Sequence, residues 1–594
     1  MTYNYHNFEE KNALEDEVEA EIKTLLEQIK NEKIKVQADM YTEKTKMSSK
    51  EREKEGRAIN NLVLAESRKI KYLTCLKFTR KKKIRTEIKK GDLALLTIND
   101  EEINCQIHDI NFNSISIVTE EKVPRLKKNN TAKIDFILNE TTFRRWETNL
   151  RNLNENGRKA LKYKKNRIAT KPDAENNKIT FFNENLDKYQ KRAVERAITS
   201  NDFFLIHGPF GTGKTTTIIE IILQEVKLNH TVLVSGESNT AIDNILKKLK
   251  KKHNKLNFTR VGTSDKIPPN LRQYTLDYKI KQYLDNNEID SDEKQEIIDE
   301  ILENSDVILT TNSSAGAISL SNIEFNIAII DEASQATIPS VLIPINKAKK
   351  FILIGDHKQL PPVVLNDNAE YLKKSLFEEL ITNYKHQSQE LLIQYRMNEI
   401  LMKFPNKKFY ENKLKCSKKS KNYYLNKVLK KYDSTSPLIF IDTSKHENNK
   451  EKTSGLHSYT NDLEIGLVLE IINMYLDKGI HQKDIGVIAP YAKQVRLIKE
   501  KIQATLIKEK REVAVRSVDG FQGGEKEIII ISLVRSNDNE DIGFLKDLQR
   551  LNVSLTRAKK KLIIIGNRET FESYDGYEEL LEFCEGLMCI HTLH

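Results

Sequence analysis

Residues 203–217 read FFLIHGPFGTGKTTT. An apolar run stops at Gly208, a glycine-rich turn follows, and Lys214 opens a helical stretch. Gly208-x4-Gly213-Lys214-Thr215, after a strand and before a helix, is a phosphate-cradling P-loop in its required context. The loop residues Gly208, Pro209, Gly211, Thr212, Gly213 and Thr216 form the cradle, and its backbone N–H groups (Pro209 has none), together with the helix N-terminus, hold phosphates. Lys214 neutralises the β- and γ-phosphates, and Thr215 binds Mg²⁺. The implied ligand is Mg-ATP.

The pattern around this stretch sets the fold class. From about residue 180, short and continuously apolar strands alternate with helical stretches. FFLIHG, TVLVSG, DVILTT, IAIIDE and FILIGD form one set; PLIFID, DIGVIAP, VAVRSVD, EIIIISLV and KLIIIG form another. Strands buried on both faces read this way, so the expectation is α/β, with two tandem P-loop-type domains. The expected spans are 180–388, with a polar helical insertion at about 266–303, and 389–594, with a Lys/Asn/Ser-rich surface excursion at 413–456. No large module is expected after KLIIIG.

The first 179 residues have a different texture. Leu14, Val18, Ile22, Leu25 and Ile29 recur at spacings of three and four, as do Phe143, Trp146, Leu150 and Leu153. Both are amphipathic helices. Between them DLALLTI, INCQIHDI, SISIVTE and AKIDFIL are β-like runs separated by turn residues, which suggests a small barrel. The expected spans are a helical stalk over 1–90, a β module over 91–139, and a second stalk helix and linker over 140–179. A coiled coil beside an unrelated β domain fits the same pattern.

Composition excludes several classes. At roughly 100–200 residues per domain, 594 residues suggest three or four domains. Apolar residues make up 38% and charged residues 31%, so the chain is globular. No run of about 18 apolar residues exists, so no membrane span is expected. The acidic, polar start MTYNYHNFEEKNALEDE is neither a signal nor a transit peptide, and the expected location is the cytoplasm, or a nucleus where the cell has one. The five cysteines form no CxxC pair, so no zinc or iron–sulfur site is expected and buried free thiols are. The net charge of +11 fits a polyanionic partner. RKKKIR (80–85) and LKKLKKKHNK (246–255) are either solvated faces or nucleic-acid contacts.

Chemistry gathers at strand ends. IAIIDEASQA (327–336) delivers Asp331 and Glu332 at the C-terminal end of a strand, where open α/β sheets bind ligands. Asp331 is placed to hold Mg²⁺, and Glu332 to orient and deprotonate the attacking water. QYRMN supplies Arg396 and NVSLTRAKKK supplies Arg557, both outside the P-loop domain. If the domains face each other, both arginines reach the γ-phosphate in cis. GDHKQLPP (355–362) fixes Gln359 on a loop stiffened by two prolines, close to that phosphate and facing the second domain.

Taken in order, these residues resemble a superfamily 1 helicase: LDKYQKRAV with Gln190, GPFGTGKT, SNTAIDN, DEASQA, GDHKQLPP, QYRMN, VDGFQGGEKE and NVSLTRA. The combination of DEAS, QLPP, QYRM and VSLTRA resembles the up-frameshift-like branch, superfamily 1B, and RSVDGFQGGEKEIIIISLVRSN is most similar to the immunoglobulin-mu-binding-protein type. The match spans about 180–570, and more loosely the stalk and β module. It implies two RecA-like domains and ATP-driven 5′→3′ translocation on single-stranded nucleic acid with duplex unwinding, by a monomer. It implies adenine recognition by Gln190 and by stacking on Tyr395, a ribose-side position for Glu525, and backbone contacts from Asn239, Thr311 and Ser517. Two departures stand out. Glu237 precedes Ser238-Asn239 where the family often has Pro, and Gly524 stands where it often has Arg. The accessory zinc-rich, nuclease and C-terminal nucleic-acid-binding modules of some members are not evident. The same motifs fit a remodelling ATPase that displaces bound proteins with little unwinding. A metabolite kinase does not account for Arg396, Arg557 and the doubled α/β unit. DNA and RNA are not distinguished by the motifs.

Overall fold

The computed structural model describes residues 2–54, 56–70, 73–84, 86, 88, 90–124, 131–137, 140–170, 179–253, 255–286, 294–425, 430–432, 435–454, 458–505 and 513–594. Arg85 and Asn254 of the two lysine runs lie outside the described residues, as do 287–293 of the expected insertion and parts of the 413–456 excursion.

Two parallel sheets form the body. The first has seven strands in the order Ser388–Glu390, Phe203–His207, Ala348–Gly355, Phe325–Asp331, Val232–Gly236, Val307–Leu309, Phe258–Arg260. The second has six, in the order Ala514–Arg516, Ile485–Ile488, Lys526–Ser532, Ala558–Gly566, Leu438–Asp442, Ile590–Thr592. Every described pairing within them is parallel. Central strands such as Phe203–His207 and Val232–Gly236 are buried along their whole length, which is why their sequence is apolar without alternation. Their C-terminal ends all open on one side of each sheet; nine of the ten runs read from the sequence are inner strands, and VAVRSVD forms the edge strand Ala514–Arg516. The short edge strands Phe258–Arg260, Ser388–Glu390 and Ile590–Thr592 escaped that reading because three residues carry no periodic signal. Ser388–Glu390 pairs with Phe203–His207, so the first sheet extends past the expected boundary at 388.

The N-terminal part corrects the expected boundaries. A closed six-stranded antiparallel barrel runs from Ala58 to Phe136, and its first two strands are Ala58–Ile70 and Leu73–Thr79. The expected stalk over 1–90 therefore ends before residue 58. AINNLVLAESRKI hides as a strand because polar residues fall in two runs, Asn60-Asn61 and Glu66 to Lys69, rather than alternating, and a bulge interrupts its pairing at Leu64/Glu66. The interior is filled by one face of each strand, including Leu76, Phe78, Leu96, Ile107, Ile117 and Ile134.

The stalk is not a free coiled coil. Helix Thr2–Lys46 buries Val18, Ile22, Leu25 and Ile29 in the core that also holds Phe143, Trp146 and Leu150 of helix Thr141–Arg151 and the Ile338–Ile345 helix of the first α/β domain. Leu14 is only half-buried. Polar ties fix its register. Glu21, 2% exposed, pairs with Lys164 and Lys165 at 2.7 Å each. The Glu32 carboxylate accepts the backbone N–H groups of Leu365 and Asn366, both at 2.8 Å. The stalk thus grips the segment that follows GDHKQLPP.

All five cysteines are free thiols; Cys105, Cys584 and Cys589 are buried, and Cys75 and Cys416 half-buried. Among the described residues no helix is long and apolar enough to cross a membrane.

Candidate active site

The two sheets face each other across a cleft of about 780 Å³. Its first wall is the loop between strand Phe203–His207 and helix Lys214–Lys227. Gly211 and Gly213 adopt φ of 67° and 84°, which a side chain disfavours. The helix N-terminus and its unpaired N–H groups open into the cleft. The Lys214 ammonium lies over the loop and donates to the Gly208 carbonyl at 2.6 Å. Thr215 lines the same cleft.

Helix Lys188–Thr199 braces the loop. Asp187 and Gln190 form a capping box, and Gln190 Nε2 donates to the Thr212 carbonyl at 3.0 Å while its Oε1 accepts from the Asp187 N–H. Gln190 is thus buried behind the P-loop. Tyr395 N–H donates to the Gly211 carbonyl, and its hydroxyl donates to Asp187 at 2.7 Å. The Tyr395 ring stays 40% exposed, a face available for stacking.

Asp331 ends strand Phe325–Asp331 and is buried. Burial and the adjacent Glu332 charge push its carboxyl up to about 7. Asp331 feels the charge of Lys214, next to Thr215 in the chain, and a carboxylate and a hydroxyl are hard-oxygen donors of the kind that suits Mg²⁺. Glu332 holds a left-handed φ of 54°, rare for a side chain of its size, and Gln335 donates to its Oε2 at 2.7 Å. Strained backbone at a strand end aims this carboxylate into the cleft.

The opposite wall carries both arginines. Arg557 is buried, donates through Nη2 to Gln359 Oε1 at 3.2 Å, and is anchored by the Val553 carbonyl and Thr556. Burial and the neighbouring Arg396 push its guanidinium down to about 9. Arg396 donates from Nε to Glu525 at 2.7 Å and from Nη1 to the Thr556 carbonyl. Glu525 also pairs with Lys559 at 2.9 Å. Burial opposes its ionisation, but Arg396 and Lys559 hold the Glu525 carboxyl down at about 2. Glu525 is therefore a latch on Arg396 as well as a cleft residue.

Lys214, Thr215, Glu332, Gln359, Tyr395, Arg396, Glu525 and Arg557 line one cleft, from motifs up to 343 residues apart (557 − 214). Asn239, Thr311 and Ser517 lie elsewhere, just beyond the C-terminal ends of strands Val232–Gly236, Val307–Leu309 and Ala514–Arg516. Asn239 Oδ1 accepts from Arg260 at 2.6 Å, and the other two hydroxyls accept nearby backbone N–H groups. Glu237 is occupied by Ser340 at 2.7 Å and Asn312 at 3.2 Å. Sequence reasoning missed Lys559 and Tyr423, which also line the cleft. Tyr423 sits in the stretch read as a surface excursion. A lysine in AKKK and a tyrosine among Asn and Lys give no distinguishing signal.

Models of the AAA domain family match residues 185–292, 284–367 and 372–569. An uncharacterized ATP-dependent helicase of Methanocaldococcus jannaschii is 36% identical over 629 aligned positions, covering 91% of this chain and 92% of that protein. The chain belongs to the up-frameshift-like branch of the superfamily 1 helicases. Within that branch, DNA polymerase alpha-associated DNA helicase A of Schizosaccharomyces pombe is 33% identical over 68% of this chain and 67% of its own length. DNA-binding protein SMUBP-2 of Mesocricetus auratus is 30% identical over 69% of this chain and 46% of its own length. As a helicase of this branch, the chain has its two RecA-like domains in the two parallel sheets, and its barrel and stalk precede them.

Proposed function

We propose that this chain couples Mg-ATP hydrolysis in the interdomain cleft to 5′→3′ movement along single-stranded nucleic acid and to separation of duplex. The observation that carries the reading is the Gln359–Arg557 hydrogen bond, which joins the two domains at the γ-phosphate side of the cleft. Cleft closure and phosphate sensing then share one contact.

The P-loop N–H groups and Lys214 take the phosphates, Tyr395 stacks the adenine, and Gln190 orders the loop from behind. Thr215 and Asp331 would hold Mg²⁺, which supplies charge neutralisation on the β- and γ-phosphate oxygens. Glu332 accepts a proton from the attacking water, whose oxygen bonds to the γ-phosphorus as the bond to the β-phosphate oxygen breaks. Arg557 and Arg396 stabilise the charge that develops on the transferred group. In this reading Arg396 exchanges Glu525 for the phosphate, and the latch opens when nucleotide fills the cleft.

A second cavity supports a nucleic-acid partner. It holds about 760 Å³ between the barrel and the second α/β domain, and Arg80, Lys81, Lys82, Lys83, Lys493 and Arg496 are among its walls. Lys83 bridges it to Gln503 at 3.2 Å. Cations from two separate bodies facing one groove suit a phosphate backbone. Strand separation on duplexes with a 5′ or a 3′ single-stranded tail tests the reading. Unwinding of the 5′-tailed duplex alone is expected. ATP hydrolysis without separation of either would leave the protein-displacing ATPase in its place.

A further inference from the structure

Gln359 is held by more than Arg557. Its Nε2 donates to Asp356 Oδ2 at 2.7 Å. Tyr410, from helix Glu399–Tyr410 of the second α/β domain, donates its hydroxyl to the same oxygen at 2.8 Å. Asp356 Oδ1 accepts from His207 Nε2 at 3.1 Å and from the Lys358 N–H at 3.1 Å. One carboxylate, 1% exposed, thus takes four donors.

The neighbourhood explains why the carboxylate stays charged there. His207 ends the strand next to Ala348–Gly355, and its Nδ1 faces Glu390 at 3.4 Å from the strand on its other side. Held between two carboxylates, the imidazole is pushed up from its ordinary value despite burial. Burial works against Asp356 too, but His207, Lys214 and Tyr410 hold its carboxyl well below the usual range.

The contacts also fix the Gln359 amide. An ionised carboxylate only accepts and a guanidinium only donates. Nε2 must therefore face Asp356 and Oε1 must face Arg557, and the flipped amide would lose both bonds. The chain continues into the second domain. Asn552 Nδ2 donates to the Tyr410 hydroxyl at 2.9 Å and to the Lys358 carbonyl at 2.7 Å. Asn552 lies on helix Leu548–Leu555, which leads directly into Thr556 and Arg557, and the Thr556 hydroxyl donates to the Asn552 carbonyl.

We propose that Asp356, Tyr410 and Asn552 are positioning residues that lock the Gln359 amide and make it move with the helix leading to Arg557. The γ-phosphate sensor of one domain and the arginine of the other then respond as a unit. The inference rests on the proposed ATPase reading of the cleft, and it concerns residues that the nucleotide does not touch.

The test is steady-state ATP hydrolysis by the full chain, with and without single-stranded nucleic acid, for Tyr410→Phe, Asn552→Ala, Gln359→Ala and the Tyr410→Phe/Gln359→Ala double variant. ADP affinity is measured alongside. Tyr410→Phe is expected to lower kcat about tenfold with less than about a twofold change in KM for ATP or in ADP affinity, since ADP lacks the phosphate that Gln359 reads. Asn552→Ala is expected to follow it. The double variant is expected to be no slower than Gln359→Ala alone, because both changes break one unit. Wild-type kcat in Tyr410→Phe, multiplying effects in the double variant, or a matching loss of ADP affinity would each overturn the inference. A wild type that nucleic acid fails to stimulate would refute the helicase reading instead, and the same comparison of basal rates would still decide the role of Tyr410.

Discussion

Arg557 Nη2 and Gln359 Oε1 stand 3.2 Å apart, and the two residues come from different α/β domains. Both are buried, 2% and 5% exposed, so water does not screen the contact. A guanidinium in that position costs desolvation, which its fall to about 9 records. In the proposed reading, an incoming γ-phosphate would supply the missing anion.

Removal of that guanidinium therefore tests the composite site. Arg557→Ala is expected to lower kcat for ATP by about 10³-fold, the scale of an arginine that stabilises a transferring phosphoryl group. Gln359→Ala is expected to spare nucleotide binding and to lower the base pairs separated per ATP hydrolysed. Single-turnover hydrolysis and unwinding on the same preparation measure both; wild-type unwinding per ATP in Gln359→Ala would remove its sensor role.

Lys214→Ala is expected to abolish turnover, by at least about 100-fold, because Lys214 is the cation that the phosphate-binding loop itself carries into the cleft. Loss of ATP hydrolysis with the melting temperature unchanged is the expected pair of results.

Much of this site was legible in the sequence. Each proposed catalytic group lies in a motif whose neighbours state its backbone, as in IAIIDE for Asp331 and Glu332. Other parts were not. Asp356 lies inside GDHKQLPP, yet its role depends on Tyr410 and Asn552, 54 and 196 residues away (410 − 356 and 552 − 356), which no local pattern links to it. The first barrel strand was missed because its buried residues, such as Ala58, Ile59 and Leu62, do not alternate cleanly across a second register shift, between Ile59 and Leu62. The Glu525–Arg396 latch was also invisible, since opposite charges 129 residues apart carry no sequence signal.

Glu464 gives a pH prediction. It is fully buried, accepts from Ser532 Oγ at 2.6 Å and from the Val534 N–H at 2.9 Å, and burial pushes its carboxyl up to about 8. The folded chain thus holds this proton more tightly than the unfolded one. Its favourable contribution is complete below the ordinary carboxylate value near 4.3 and is lost as pH rises towards about 8. Glu464→Gln keeps the acceptor for Val534 and cannot ionise. Its melting temperature relative to wild type is expected to be higher at pH 9 than at pH 5. An equal difference at both would show that the carboxyl is ionised throughout.

The stalk makes a structural prediction. Glu32→Ala removes the acceptor for two backbone N–H groups beyond the QLPP loop. A loss of about 1–2 kcal/mol is expected, with Glu32→Gln intermediate, because its amide oxygen retains one bond. Denaturant midpoints of the three proteins measure this.

The most direct test of the central claim is the ATPase rate of the wild type with no nucleic acid, with single-stranded DNA, and with single-stranded RNA, at one fixed moderate salt concentration. The account predicts strong stimulation by at least one single strand, abolished in Arg557→Ala, and the ratio of the two rates identifies the substrate. An ATPase rate indifferent to both would contradict the claim that hydrolysis in this cleft drives movement on nucleic acid.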